Sequence, residues 1–207
     1  MNISAHTELL VATKNAGKIR ELTELLAGLP LRLRALSDFP DAPEVEETGA
    51  TFEENARLKA VSYAAHARLL TLADDSGLEV FALHGAPGVR SARYAGDSAT
   101  DADRIDLLLR ELSRAGSDDR RARFVCAVAL HDPLGGATEI FHGLCPGRIT
   151  PAPRGTNGFG YDPVFIPDGH SQTFAELPAA VKQQISHRAR ALRLARDFIR
   201  NALPSLP

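Results

Sequence analysis

The chain has 207 residues, 44% of them hydrophobic, enough for one sizeable core; a single α/β domain over 1–207 is the default, with two smaller lobes sharing one sheet as the variant. Its 24 basic and 26 acidic residues leave a formal net charge of −2, so no overall field favours nucleic acid or an anionic membrane, and any phosphate chemistry has to be local. Cys126 in an apolar run and Cys145 before Pro146 have neither CxxC spacing nor a histidine partner, which excludes a disulfide framework and a zinc site.

The opening stretch, MNISAHTELLVATKN, lacks a basic leader region, and its apolar part is short. A cytoplasmic protein without signal peptide or membrane helix is expected. Glu8 to Thr13 reads as a buried strand, followed by an amphipathic helix from Gly17 with Ile19, Leu22, Leu25 and Leu26 on one face and Gly28 as its stop. Between them lies TKNAGK, which places Lys18 in the first helical turn, where backbone N–H groups favour anions. The spacing GxxxxGK[ST] is absent, and Ile19 stands where a metal-binding hydroxyl is needed, so this is not a P-loop.

Leu31 to Leu36 alternates like a half-exposed strand, and the polar, proline-containing stretch after it carries Glu46 and Glu47. Thr51 and Glu54 form a capping box for a helix reaching about His66, with Asn55 and Lys59 on one face. The next strand, LLTLADDSGLEV, is expected to end at Asp74-Asp75, with Ser76-Gly77 as a turn. Carboxylates at a strand exit are where open α/β folds bind ligands. Magnesium, which takes one or two carboxylates and completes its shell with water and phosphate oxygens, is one reading of these acids together with Glu46-Glu47; plain solvated acid is the other.

HGAPGVRSARYAG reads as an irregular excursion, and Thr100 caps a helix with Ile105, Leu108, Leu109 and Leu112 toward the core. Arg123 to Leu130 and Thr138 to His142 form a hairpin, after which GLCPGRITPAPRGTNGFG is expected to be a long loop. Its end, GTNGFGYDP, is not a dinucleotide fingerprint, because it leads into a strand. Glycines flanking Phe159 either make a turn with a buried ring or leave that ring against a planar ligand. The last helix, capped by Ser186, follows Lys182 and begins with His187 and Arg188. The guanidinium fork of Arg188 is suited to reading a carbonyl on a base edge, although a plain surface helix start fits as well.

Taken together, ATKNAGKIREL, EETGATFEENARLKA, LADDSGLEV, GAPGVRSARYAG, GTNGFGYDPVF and ISHRARAL resemble the non-canonical purine nucleoside triphosphate pyrophosphatases, the inosine triphosphate pyrophosphatase family. The four lysines, Lys14, Lys18, Lys59 and Lys182, all lie in or beside these strings. The resemblance implies an elongated mixed β-sheet flanked by helices, with two lobes around a central cleft, and a homodimer. It implies hydrolysis of ITP, dITP and XTP to monophosphate and pyrophosphate with Mg²⁺, and a small-molecule nucleoside triphosphate as partner rather than nucleic acid or membrane. By the same resemblance Thr13, Asn15, Lys18 and Lys59 hold the triphosphate, Glu47 and Asp75 serve the metal, and Asp75 is the general base with Ser76 on the substrate. Phe159, Gly160, Tyr161 and Asp162, with Lys182, His187 and Arg188, form the nucleoside pocket. Lys14, Glu46 and Asp74 receive no role. The alternatives are a pyrophosphatase for modified pyrimidine nucleotides and a non-enzymatic nucleotide or RNA binder.

Overall fold

The computed structural model describes residues 1, 3 and 7–202. Residues 2 and 4–6 of the opening stretch, and Leu203 at the end of the last helical pattern, lie outside them. Six strands form one sheet in the order β2-β1-β3-β4-β5-β6: β1 is Glu8–Val11, β2 Arg32–Ala35, β3 Leu70–Val80, β4 Arg121–His131, β5 Thr138–Ile149 and β6 Phe165–Pro167. The helices are α1 Ala16–Leu26, α2 Phe52–Ala67, α3 Asp101–Arg114, α4 Ala179–Ile185 and α5 His187–Ala202. β1 is parallel to both β2 and β3, whereas β5 and β6 are antiparallel, so the sheet is mixed. Among the described residues no helix is long and apolar enough to cross a membrane.

The chain divides into two compact units. The first comprises residues 1–75, 126–143 and 188–207, and its core joins Leu9 and Val11 of β1, Leu70 and Leu72 of β3, Leu22 and Leu26 of α1, and Leu192, Ala195 and Ile199 of α5. The connections β1–α1–β2 and β2–α2–β3 run in opposite directions along the sheet, and right-handed crossovers therefore place α1 and α2 on opposite faces. The reversal of strand order falls between β1 and β3, the position at which doubly wound sheets bind ligands. Both long helices that border this part of the chain start from strong local signals. Asn15 caps α1 by accepting from the Lys18 amide, and the Thr51–Glu54 capping box of α2 is complete.

The second unit comprises residues 76–125 and 144–187. Its core packs Ile105, Leu108 and Leu112 of α3 with Leu78, Val80, Phe124, Phe165 and Phe174. Phe124 meets Phe165 edge-on at a centroid distance of 4.6 Å, and Phe165 stacks on Phe174 at 5.4 Å.

Two sequence expectations are overturned. β3 does not end at its acids but runs unbroken to Val80, so Asp74 and Asp75 are mid-strand and Ser76-Gly77 makes no turn. Ser-Gly is turn-like by composition, but β3 is an inner strand of the sheet, running on past the end of its β1 ladder at Leu72, and its place in the sheet outweighs the local preference. β5 likewise continues past His142 to Ile149, absorbing the first seven of the eighteen residues of the expected loop. Residues 143–149 alternate buried and exposed with strand period, Pro146 lying on the exposed set. Gly147 is required there: a Cβ would lie 2.2 Å from the Ile166 carbonyl oxygen and 2.6 Å from the Phe165 ring across the β5–β6 ladder. The fit predicts that Gly147→Ala lowers stability by about 1–3 kcal/mol through overpacking. A chemical-denaturation midpoint unchanged from wild type would show that β6 gives way at no cost.

Candidate active site

Asp74 and Asp75 are adjacent on β3, and the period of a strand sends their side chains to opposite faces. Leu70 and Leu72 share the face of Asp74, whose neighbours come from α1 and α5: Lys18 Nζ lies 3.0 Å from its Oδ2 and Arg188 Nε donates to the same oxygen at 3.1 Å. Arg188 is itself only 2% exposed, and its Nη1 donates to Glu21 of α1. Burial opposes the charge on Asp74, but Lys18 and Arg188 more than compensate, and the carboxyl is held well below the usual carboxylate range. The same two carboxylates hold the Arg188 guanidinium protonated against its own burial.

On the other face Asp75 meets α2. Asn55 Nδ2 donates to Asp75 Oδ2 at 3.1 Å, and Lys59 Nζ lies 3.6 Å from Oδ1. Here the balance tips the other way. Burial pushes the Asp75 carboxyl up, Lys59 only partly offsets this, and Glu47 adds repulsion. Lys59 is held above its ordinary value despite its burial, by Asp75, Asp74 and Glu47.

Glu47 reaches this point because the segment before α2 folds back on the helix. The Gly49 amide donates to Asn55 Oδ1 at 2.7 Å, and the Ala50 amide to Glu54 Oε2 at 2.6 Å. A Cβ on Gly49 would lie 2.7 Å from Asn55 Oδ1, so the approach needs glycine. Asn55 thus links the loop through its oxygen and Asp75 through its nitrogen, and Glu47 forms an ion pair with Lys59. Two carboxylates, Glu47 and Asp75, converge on one ammonium. Among the described residues no group of three or more potential ligands forms a protein cage for a metal. This donor set suits a hard divalent ion that draws its remaining ligands from water and phosphate.

Thr13 and Asn15 lie in the β1–α1 turn, with the Asn15 amide on Thr13 Oγ1 at 3.2 Å and the Lys18 amide on Asn15 Oδ1 at 3.0 Å. The first unit therefore gathers Thr13, Asn15, Lys18, Glu47, Lys59 and Asp75, and it also holds Arg188. Lys14 points elsewhere, exposed near Glu44 at 3.9 Å.

The remaining predicted residues belong to the second unit, starting with Ser76. Gly158–Asp162 is a tight turn in which Asp162 Oδ2 accepts the Phe159 amide at 2.9 Å. Lys182 Nζ is 2.5 Å from the same oxygen and 4.6 Å from the Phe159 ring centroid, so the ammonium covers one face of that ring. His187 is buried and stacked on Phe124 at 4.6 Å and 9°. Tyr161 is buried, and its hydroxyl donates to the Ser91 carbonyl at 3.0 Å.

Sequence reasoning passed over Glu21 and Asn55 as site residues. The signal for Asn55 was its position one turn before Lys59 on the same face; Glu21, in an amphipathic helix, gave none.

The Ham1 family model matches residues 9–198. A dITP/XTP pyrophosphatase of Geobacter sulfurreducens is 51% identical over 193 residues, covering 93% of this chain and 96% of that protein. One from Shouchella clausii is 48% identical, covering 95% and 98%. Among solved structures, a HAM1 protein from Coxiella burnetii superposes with a TM-score of 0.87 at 45% identity, covering 93% of this chain and 98% of its own. The Ham1 protein of Staphylococcus aureus gives 0.84 at 41%, covering 94% and 98%.

The depressed titration of Asp74 has a measurable consequence. Its folded-state pKa lies below the unfolded value, so its contribution to stability is complete above the unfolded pKa and is lost as pH falls toward the folded one. Asp74→Asn, which leaves Lys18 and Arg188 without their buried counter-charge, is expected to cost about 3–5 kcal/mol at pH 7. Followed by urea unfolding in EDTA, the deficit stays constant down to about pH 5 and shrinks below about pH 4. A deficit independent of pH to pH 3 contradicts the assignment.

Proposed function

This chain belongs to the Ham1 family, and from that premise we propose that it hydrolyses the non-canonical purine nucleoside triphosphates ITP, dITP and XTP to monophosphate and pyrophosphate. The observation that carries the reading is the β3 pair. One strand buries two neighbouring carboxylates, one locked between cations and the other pushed toward basicity beside Glu47 and Lys59. Cleavage between the α and β phosphates needs charge neutralisation and a positioned water, with little covalent chemistry, and this inventory supplies both.

In the proposed mechanism Lys18 and Lys59 take phosphate oxygens, helped by Thr13, Asn15 and the first amides of α1. Each lysine exchanges a carboxylate for phosphate as substrate arrives. Glu47 and Asp75 would hold Mg²⁺, which when bound neutralises charge on the phosphates and lowers the pKa of coordinated water. Asp75 accepts the proton of the attacking water. Asn55 fixes the carboxylate through Oδ2. Phe159, with Asp162 and Lys182, forms the proposed base platform: stacking on an aromatic ring is worth about 1–3 kcal/mol per base. Gly160 and Tyr161 shape its turn, Ser76 and His187 complete the substrate contacts, and Arg188 acts from an orientation set by Asp74 and Glu21. Donors that pair with a 6-keto group are left unpaired by adenine's 6-amino group, which excludes ATP. The proposed working form is a cytoplasmic homodimer, as in the family the chain resembles, and sedimentation would report its mass.

A panel of ITP, dITP, XTP, GTP, ATP and modified pyrimidine triphosphates is expected to release pyrophosphate from the first three, to lose turnover in EDTA and to regain it with Mg²⁺. Orthophosphate as first product, ATP turned over as fast as ITP, or a pyrimidine preference would each overturn the reading. Asp75→Asn is expected to lower kcat by about 10²–10⁴-fold with KM within a few-fold. Near-normal turnover would remove Asp75 from the role of base.

A further inference from the structure

The turn that carries Phe159 is held both by its own contacts and from outside. Gly158 and Gly160 have φ of +78° and +62°, in the left-handed region, and glycines there leave a turn many alternatives unless outside contacts fix it. Two contacts are internal, the Phe159 amide on the Asp162 side chain and the Asp162 amide on the Phe159 carbonyl at 3.3 Å. The next amide, that of Gly160, donates instead to Oδ2 of Asp101, 59 residues earlier, at 2.6 Å.

Asp101 is the first residue of α3, yet the helix does not need it as a cap, because Thr100 and Asp103 already form a complete capping box. Its other oxygen accepts from Arg104 Nη1 at 3.1 Å, and Arg104 Nε donates to the Ala92 carbonyl at 3.0 Å. The neighbouring Ser91 carbonyl takes the Tyr161 hydroxyl. Residues 91–92 therefore brace the turn twice, once through Tyr161 and once through Arg104 and Asp101. The Asp101 side chain is 50% exposed, where a hydrogen bond adds little to global stability. What it holds is the Gly160 amide, part of the peptide unit that follows Phe159.

We propose that Asp101, oriented by Arg104, is a positioning residue for base selection, clamping the Gly160 amide so that the Phe159 ring and the Asp162–Lys182 pair meet the base in one fixed arrangement. This rests on the reading of Phe159–Asp162 as the base platform. Preorganisation of this kind acts on substrate affinity and on discrimination between bases, with the chemical step unaffected.

The test compares Asp101→Ala, Asp101→Asn and Phe159→Ala with wild type, measuring kcat and KM for ITP and GTP together with melting temperature. Asp101→Ala is expected to raise KM for ITP about fivefold to tenfold, the equivalent of one lost hydrogen bond, with kcat within about twofold. Its preference for ITP over GTP falls several-fold, while its melting temperature stays within about 2 °C of wild type. Asp101→Asn, whose amide oxygen still accepts from Gly160, restores most of the KM and the preference. If Phe159→Ala alters KM and preference but Asp101→Ala does not, the clamp is overturned and the platform stands. A loss in Asp101→Ala that tracks a fall in melting temperature and is not rescued by Asn also overturns it. If Phe159→Ala changes neither quantity, the platform reading fails and the clamp with it.

Discussion

Burying two adjacent carboxylates in one strand is costly, and the way this chain offsets that cost organises the first unit. An isolated ionised carboxylate in a protein interior protonates or brings cations with it. Because a strand alternates, Asp74 and Asp75 make their direct contacts with different elements, each on its own face, while Lys18 and Lys59 act on both carboxylates at longer range. Asp74 has Lys18 and Arg188, from helices distant in sequence, and stays charged. Asp75 meets the Lys59 ammonium, shared with Glu47, and the neutral amide of Asn55. The difference between a locked carboxylate and one pushed toward basicity is thus a difference between faces of one sheet.

The face of Asp75 is assembled largely from a single local segment. Between Glu47 and Lys59 the chain closes a loop on the helix that follows, through the capping box and the Asn55 side chain. Local closure has a low entropic cost, so Glu47 is delivered to Lys59 without dependence on distant packing. The face of Asp74 is different, since Lys18 and Arg188 are brought together only when α1 and α5 dock on the sheet. On the proposed mechanism, proton acceptance falls to the locally built half and charge anchoring to the half that requires the fold.

This division also explains what could be read from the sequence. Helix starts with a local chemical signature were legible: Thr51 with Glu54 and Thr100 caps α2 and α3 as expected. The clustering of Lys18, Lys59 and Asp75 was approachable because each sits in a short motif. The course of β3 was not, since the cations that make a mid-strand Asp-Asp tolerable lie 56 and 114 residues away from Asp74 along the chain. β5 was misread for a related reason. Proline and glycine signal a loop locally, whereas Gly147 serves the close approach of β6, which no local window contains. Glu21 was invisible because its partner, Arg188, is 167 residues distant.

The usage of lysine follows from the same physics. The chain has 24 basic residues, and lysine is confined to Lys14, Lys18, Lys59 and Lys182. Lys18 and Lys59 in the first unit, and Lys182 in the second, each face a carboxylate. Arg188 holds two carboxylates at once through separate nitrogens. A guanidinium bound in this way is directional, and releasing one partner disturbs the other. An ammonium is a compact point charge on a flexible stem that can leave a carboxylate and meet a phosphate without a change of plane. On the proposed mechanism Lys18 and Lys59 must change partners in every cycle while Arg188 must not move. On that reading Lys18 and Lys59 stand where a cation is exchanged and Arg188 where it is fixed, and a substitution of one type for the other at these positions would not be conservative.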